Sequence, residues 1–308
     1  MGSRLARRIV DVEVETLTYL AFSPDGTHFA ASAYTGIAIG PWPALAEGRD
    51  IFDTAPAGER IAQIAWHPHG RRFATAGLDR GIVQICDIDL RVRCEVAGLP
   101  GQDGPVSAIA YSPDGELFAL ACGWWDEPAT VLILNSRSWR GTKQIEVHLN
   151  QIGALAFGRS SLLITGSADR SVAFHRLKSD DDPTFRNVPS PIQALALNPN
   201  RDQLAVAAGN QVHLWSLDPL RQFPSNDDRV CRGHKGEVRA VSFSPDGRLL
   251  ASVGKDGSLR FWDAASGTEK SVLDPGLGGL RAVTFAPDGL TVVAGGDSGK
   301  IAIVDVDT

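Results

Sequence analysis

Apolar and polar residues alternate along the chain in short runs of five or six, the period of a half-buried strand. Val238-Arg239-Ala240-Val241-Ser242-Phe243 is a clear case, and it ends at Ser244-Pro245-Asp246-Gly247. Pro presets φ at the second turn position and Gly closes the fourth, the chemistry of a type I turn. A second run, Leu249 to Val253, leads to the tight turn Gly254-Lys255-Asp256-Gly257. A third spans Ser258 to Asp263, and a weaker fourth covers Glu269 to Leu273. No amphipathic helix of useful length interrupts the pattern.

This unit recurs. Leu20 to Gly26 (LAFSPDG) returns as Ile64 to Gly70 (IAWHPHG), Ile109 to Gly115 (IAYSPDG), Val241 to Gly247 (VSFSPDG) and Val283 to Gly289 (VTFAPDG). Two copies are worn, Leu155 to Ser160 and Leu195 to Asn200. Anchored on the Pro position, the seven copies fall at 24, 68, 113, 159, 199, 245 and 287. Four strands of ~5–6 residues with their turns fill such a period. A lone four-stranded meander leaves both faces bare, and radial stacking of the copies buries them. The expected fold is therefore all-β, a seven-bladed β-propeller of four-stranded antiparallel blades, forming one domain over residues 1–308. The blades are expected to start near 16, 60, 105, 150, 191, 237 and 279.

Closure of the ring has its own signature. The last copy stops after its third strand, Ile301 to Val306, while Arg8 to Val14 alternates in strand fashion before the first copy. Segment 7–14 is expected to pair with the last blade, and removal of residues 1–15 to destabilise the whole ring.

In the sixth copy Gly233-His234 precedes the first strand and Trp262-Asp263 ends the third. Gly-His, SPDG and Trp-Asp in this order resemble the WD-repeat (WD40) family, over essentially the whole chain. The other copies depart from the signature: Cys86-Asp87, His175-Arg176 and Trp215-Ser216 stand in the Trp-Asp place of copies two, four and five. Copy four has Val147-His148 in the Gly-His place. The resemblance implies a rigid platform that binds proteins or peptides through its loops, with no catalytic residues and no cofactor. It also gives His234, Ser252, Asp256 and Trp262 a structural role, a buried hydrogen-bond network within the blade. His148, Thr165 and Asp169 fill the same slots in copy four, and Thr75 and Asp79 in copy two. A recurring slot explains these residues better than several partial hydrolase triads.

The formal charge of −6 argues against bulk nucleic-acid or anionic-membrane binding. No apolar run reaches the ~18 residues of a membrane helix, and Arg4, Arg7 and Arg8 have no apolar core after them, unlike a secretory signal. Cys86, Cys94, Cys122 and Cys231 show no paired spacing, which excludes a zinc knuckle and fits a cytoplasmic protein. Twenty-four Arg against six Lys hints at a GC-rich bacterial source. A monomer is the default expectation.

Several motifs imitate chemistry. Gly296-Asp297-Ser298-Gly299 echoes a protease loop, and Gly299-Lys300 a phosphate loop, but both fall in a strand-to-strand turn. His67-Pro68-His69 offers two ligands where zinc needs three or four. Asp180-Asp181-Asp182 lacks the spacing of a calcium loop. No metal site is expected.

The best functional candidate is an insertion in copy three, Gly123-Trp124-Trp125-Asp126-Glu127-Pro128. Side chains of neighbouring residues on an extended segment diverge, so at least one Trp should be exposed, as at an interface hot spot. The alternative is that the pair folds back over a neighbouring blade. Equivalent turns place Tyr34, Arg80, Arg170, Lys255 and Lys300 on the same face, a basic rim suited to an acidic peptide or protein loop. A competing reading from a different class is a lactonase-type propeller hydrolase with its site at the channel mouth. It would need converging carboxylates or histidines, whereas the inner-strand positions are mostly small or apolar with Arg239 and Arg281.

Overall fold

The structure is a computed structural model that describes residues 7–12, 15–34, 36–42, 45, 53–56, 60–99, 101–102, 104–179, 181–218 and 224–306. Its strands form seven four-stranded antiparallel sheets. The innermost strands of blades 1 to 7 are Leu17–Phe22, Ile61–Trp66, Val106–Tyr111, Ile152–Phe157, Ile192–Leu197, Val238–Phe243 and Leu280–Phe285. In blade 6 the remaining strands are Leu249–Gly254, Leu259–Asp263 and Glu269–Leu273, close to the runs read from the sequence. The expected all-β seven-bladed propeller is the observed fold.

The last blade is completed by Arg7–Asp11, which pairs antiparallel with Lys300–Asp305, setting Arg7 opposite Val304 and Asp11 opposite Lys300. This is the expected closure; Glu13 and Val14, also assigned to the closing segment, lie outside the described residues. Val10 and Val12 are buried in one cluster with Ile301 and Ile303 of blade 7 and Leu17, Leu20, Phe29 and Trp42 of blade 1. The closing segment thus packs across the seam between the first and last blades.

The core lies between blades. Ile37 and Ile39 of blade 1 pack with Ile61, Ile64 and Phe73 of blade 2, and the other clusters repeat this arrangement around the ring. A sheet with two apolar faces can be buried only in this way, which accounts for the Ala-, Val- and Leu-rich second strands.

The recurrent turns are self-contained. Ser244 Oγ donates to Asp246 Oδ1 at 2.6 Å and accepts from Leu249 N–H at 2.9 Å, while Gly247 adopts φ 73°. Ser112 and Asp114 repeat the contact in blade 3, and Ser23 and Asp25 in blade 1. The Ser23 hydroxyl, with help from Thr27, holds the Asp25 carboxyl down at about 2. Gly26 is bare for a further reason: a Cβ there would lie 3.1 Å from Pro287 of the blade 7 turn. The turns of the first and last blades are nested against each other at the seam.

Every inner strand slips register with its neighbour at its second residue. A bulge of this kind re-aims the extra side chain. The residues concerned are Thr18, Ala62, Ser107, Gly153, Gln193, Arg239 and Arg281, which together line a cavity of about 190 Å3 at one end of the central channel.

Candidate functional site

Because the strands alternate direction, the turns between second and third strands share a face with the loops that join consecutive blades. The copy-three insertion is on this face. Nine residues separate the paired Ala121 and Val131, against five between Val253 and Leu259 in blade 6. The extra length forms an irregular turn in which Asp126 adopts φ 63° and Glu127 N–H donates to Trp124 O.

Trp124 is 51% exposed and Trp125 is 65% exposed. The Trp124 indole leans on Gly104, where an added Cβ would lie 3.0 Å from Nε1, so the loop entering blade 3 supports it from below. On the other side Asn150 Nδ2 donates to Asp126 Oδ1 at 3.1 Å, tying the insertion to the loop that enters blade 4. That loop carries Leu149, which is 78% exposed. Two bonded loops therefore present three large apolar groups to solvent across blades 3 and 4. Sequence reading missed Leu149; the available signal is that the residue after the slot histidine is Lys235 in blade 6 but Leu149 in blade 4.

The basic residues of the rim are dispersed. Arg80, Arg170 and Lys255 are exposed in the turns of blades 2, 4 and 6. Tyr34 is half-buried, with the Arg60 guanidinium 5.9 Å from its ring centroid. Lys300 lies away from them, its ammonium 3.9 Å from Asp11 of the outermost strand of blade 7.

Beneath the same face lie the polar networks. In blade 6 the Trp262 indole N–H donates to Ser252 Oγ at 2.7 Å, and Ser252 lies 2.8 Å from His234 Nε2. His234 Nδ1 faces both Asp256 oxygens at 3.1 Å. One proton arrangement satisfies all four groups: Trp donates to Ser, Ser to His Nε2, and His Nδ1–H to Asp. Burial lowers the His234 pKa despite the opposing pull of Asp256. Burial alone would raise Asp256, but N–H and hydroxyl donors from Lys235 and Ser258, with His234, hold it well below the usual carboxylate range.

Blade 4 repeats the chain with a substitution. His148 Nε2 is 2.6 Å from Thr165 Oγ1, which is 3.1 Å from His175 Nε2, and His148 Nδ1 is 3.1 Å from Asp169. His175 stands where blade 6 has Trp262, so its Nε2–H takes the part of the indole donor. Burial, then His148, pushes His175 down to about 4. In blade 2 the Asp79 carboxylate is held instead by the backbone and side chain of Arg60, each at 2.8 Å. In these two His–hydroxyl–Asp sets the histidines and hydroxyls, His148, Thr165, His234 and Ser252, are buried within their blades.

His67 and His69 lie on the opposite face, ring centroids 5.0 Å apart, in a cleft of about 1220 Å3 between the turns of blades 1, 2 and 3. Among the described residues no three His, Cys, Asp or Glu side chains converge on a metal position, and no helix is long and apolar enough to cross a membrane. Asp180 of the acidic run lies outside the described residues.

A family model described as "WD domain, G-beta repeat" matches residues 93–126 and 226–263. The second match begins in the outermost strand of blade 5, Pro224–Arg232, and ends with the third strand of blade 6. The chain is 36% identical over 240 residues to the serine-threonine kinase receptor-associated protein of Homo sapiens, covering 77% of this chain and 64% of that protein. It is 26% identical over 295 residues to "Cell division cycle 20.1, cofactor of APC complex" of Arabidopsis thaliana, covering 89% and 61%. With the B-type cell cycle switch protein ccs52B of Medicago truncatula it shares 28% identity over 228 residues, 71% and 44% of the two chains. The chain thus spans between 44% and 64% of the length of these relatives. All three are eukaryotic, so they lend no support to the bacterial source suggested by the arginine excess.

Proposed function

The chain belongs to the WD-repeat family, and from that premise we propose that it is a non-catalytic scaffold that holds a partner protein or peptide against the face carrying Trp124, Trp125 and Leu149. The observation that carries this reading is the exposure of those three side chains on two loops fixed to each other by Asn150 and Asp126. Large apolar groups held by a rigid frame lose little entropy when a partner covers them, and a few such anchors supply most of an interface's affinity. The names of the relatives agree in kind, one being receptor-associated and one a cofactor of a complex.

The partner is an acidic protein or peptide, drawn to Arg80, Arg170 and Lys255 around the apolar anchors; nucleic acid, membrane, metal and cofactor play no part. The scaffold acts as a monomer in the cytoplasm, where its four free cysteines stay reduced. The lactonase-type alternative is disfavoured by the channel-mouth ring itself, whose residues offer no carboxylate or imidazole to a hydrolytic centre.

A paired pull-down tests the reading, with wild type against Trp124→Ala/Trp125→Ala after melting has established that both fold. A protein retained by wild type and lost by the variant identifies partner and face together. Identical retention by both removes the insertion from the interface.

A further inference from the structure

The channel-mouth ring is lopsided. At the bulge positions blades 1 to 4 carry Thr18, Ala62, Ser107 and Gly153, while blades 6 and 7 carry two neighbouring arginines, Arg239 and Arg281; Tyr19 and Gln63 line the same cavity. Both converge on one carboxylate: Arg281 Nε donates to Asp297 Oδ1 at 2.5 Å, and Arg239 Nη1 stands 3.5 Å from Oδ2. Arg239 is largely buried, and its Nη1 is shielded from water without making a hydrogen bond. A guanidinium nitrogen in that condition wants an acceptor.

Its nearest acceptor is Asp297, which also serves Arg281. Glu237, the other carboxylate at this edge, accepts from the Gln193 amide at 2.9 Å. Asp297 is shared between two arginines, so one carboxylate answers two guanidinium groups at this corner. Gly279 keeps the approach open, since a Cβ there would lie 2.5 Å from Asp297 Oδ2 and 3.3 Å from Arg239 Nη1.

We infer that Arg239 and Arg281 form a seat for one carboxylate side chain, an Asp or Glu of a partner protein reaching into the channel mouth, with Asp297 as its internal stand-in. The guanidinium fork matches a carboxylate in shape as well as charge. The cavity of about 190 Å3 corresponds to roughly six waters at ~30 Å3 each, room for one acidic side chain but not for a helix. The inference rests on the scaffold reading only for the source of the carboxylate.

The test uses fluorescence anisotropy at low salt with a fluorescein-labelled Gly-Ser-Gly-Glu-Glu-Gly-Ser-Gly peptide, its Gln-Gln counterpart and a phosphoserine counterpart. The full chain should prefer the Glu peptide over the Gln peptide. Asp297→Asn, which removes the internal competitor, should strengthen that preference about tenfold, and Arg239→Gln/Arg281→Gln should abolish it. Equal binding of the Glu and Gln peptides by Asp297→Asn overturns the seat, as does a preference that survives in the double arginine variant. Stronger binding of the phosphoserine peptide overturns the carboxylate assignment. Asp297→Asn keeps the test decisive if the double variant fails to fold. The peptides carry no aromatic residue, so a failure here leaves the Trp124 and Trp125 pull-down standing, and the reverse.

Discussion

Trp215 and Trp262 occupy the same point of neighbouring blades, yet the indole N–H of Trp262 donates to Ser252 at 2.7 Å whereas that of Trp215 has no acceptor. The difference lies one strand away. Trp215 pairs with Leu204 and Trp262 with Leu250, and two residues further along the partner strand stands Val206 in one case and Ser252 in the other. Blade 5 has the tryptophan without the hydroxyl that receives it in blade 6. The Arg186 guanidinium, 4.4 Å from the Trp215 ring centroid, covers the indole without accepting its proton.

Val206→Thr should therefore stabilise the protein by about 1 kcal/mol, because an unmet buried N–H costs ~1–3 kcal/mol and the new hydroxyl offsets part of the gain. The same exchange at Val253, equally buried, should destabilise by a similar amount. Urea unfolding of the two variants beside wild type checks both signs.

The histidine pair of blade 4 makes stability depend on pH. The folded pKa of His175 is about 4, below the ~6.5 of an unfolded chain, so the unfolded state binds the extra proton between those values. Its contribution is complete above pH ~6.5 and is lost as pH falls toward 4, on the order of 3 kcal/mol in all. His148 and His234, also lowered by burial, act in the same direction. His175→Gln should flatten the stability profile between pH 6.5 and 4 relative to wild type, as read from urea midpoints.

Removal of residues 7–12 takes away the outermost strand of blade 7 together with Val10 and Val12, both fully buried at the seam. Burying a valine contributes ~1.5–3 kcal/mol, so a loss of about 3–6 kcal/mol is expected before the unpaired strand edge is counted. Far-ultraviolet circular dichroism should show one earlier transition for the whole ring. A truncated protein that melts like the full chain would remove the closure from the account of stability.

Leu149→Asp should weaken partner retention about as much as loss of the tryptophans, at a cost in stability within ~0.5 kcal/mol, since the side chain already faces solvent. Charge reversal of Arg80 and Arg170 together should weaken it further and make binding less sensitive to salt. Unchanged affinity of the double reversal variant would confine the interface to the apolar anchors.

The ring was legible because its determinants are local. SPDG fixes a turn through its own Ser and Asp, and the alternation before and after it fixes the faces of two strands, so a 44-residue spacing suffices to count blades. The closing strand was legible for the same reason. The sites were less so. Arg239 and Arg281 read as ordinary inner-strand residues, because the bulge that aims them into the channel mouth leaves no mark on the alternation. Leu149 was not singled out, since its place beside the tryptophans shows only when Asn150 meets Asp126 from another blade. The missing acceptor of Trp215 shows only when Val206 is set in register against it.

The pairing of Arg7 with Val304 gives the ring a mechanical weak point. The two strands of the seam run antiparallel, so the chain enters and leaves blade 7 side by side at one end of the propeller. A pull transmitted through both ends loads the hydrogen bonds of the seam one after another, from Arg7–Val304 towards Asp11–Lys300, instead of shearing all of them together. Peeled bonds fail at small force, whereas the other blades are joined by covalent loops. Tension would open this propeller like a clasp at that seam, starting from the face opposite Trp124 and Trp125.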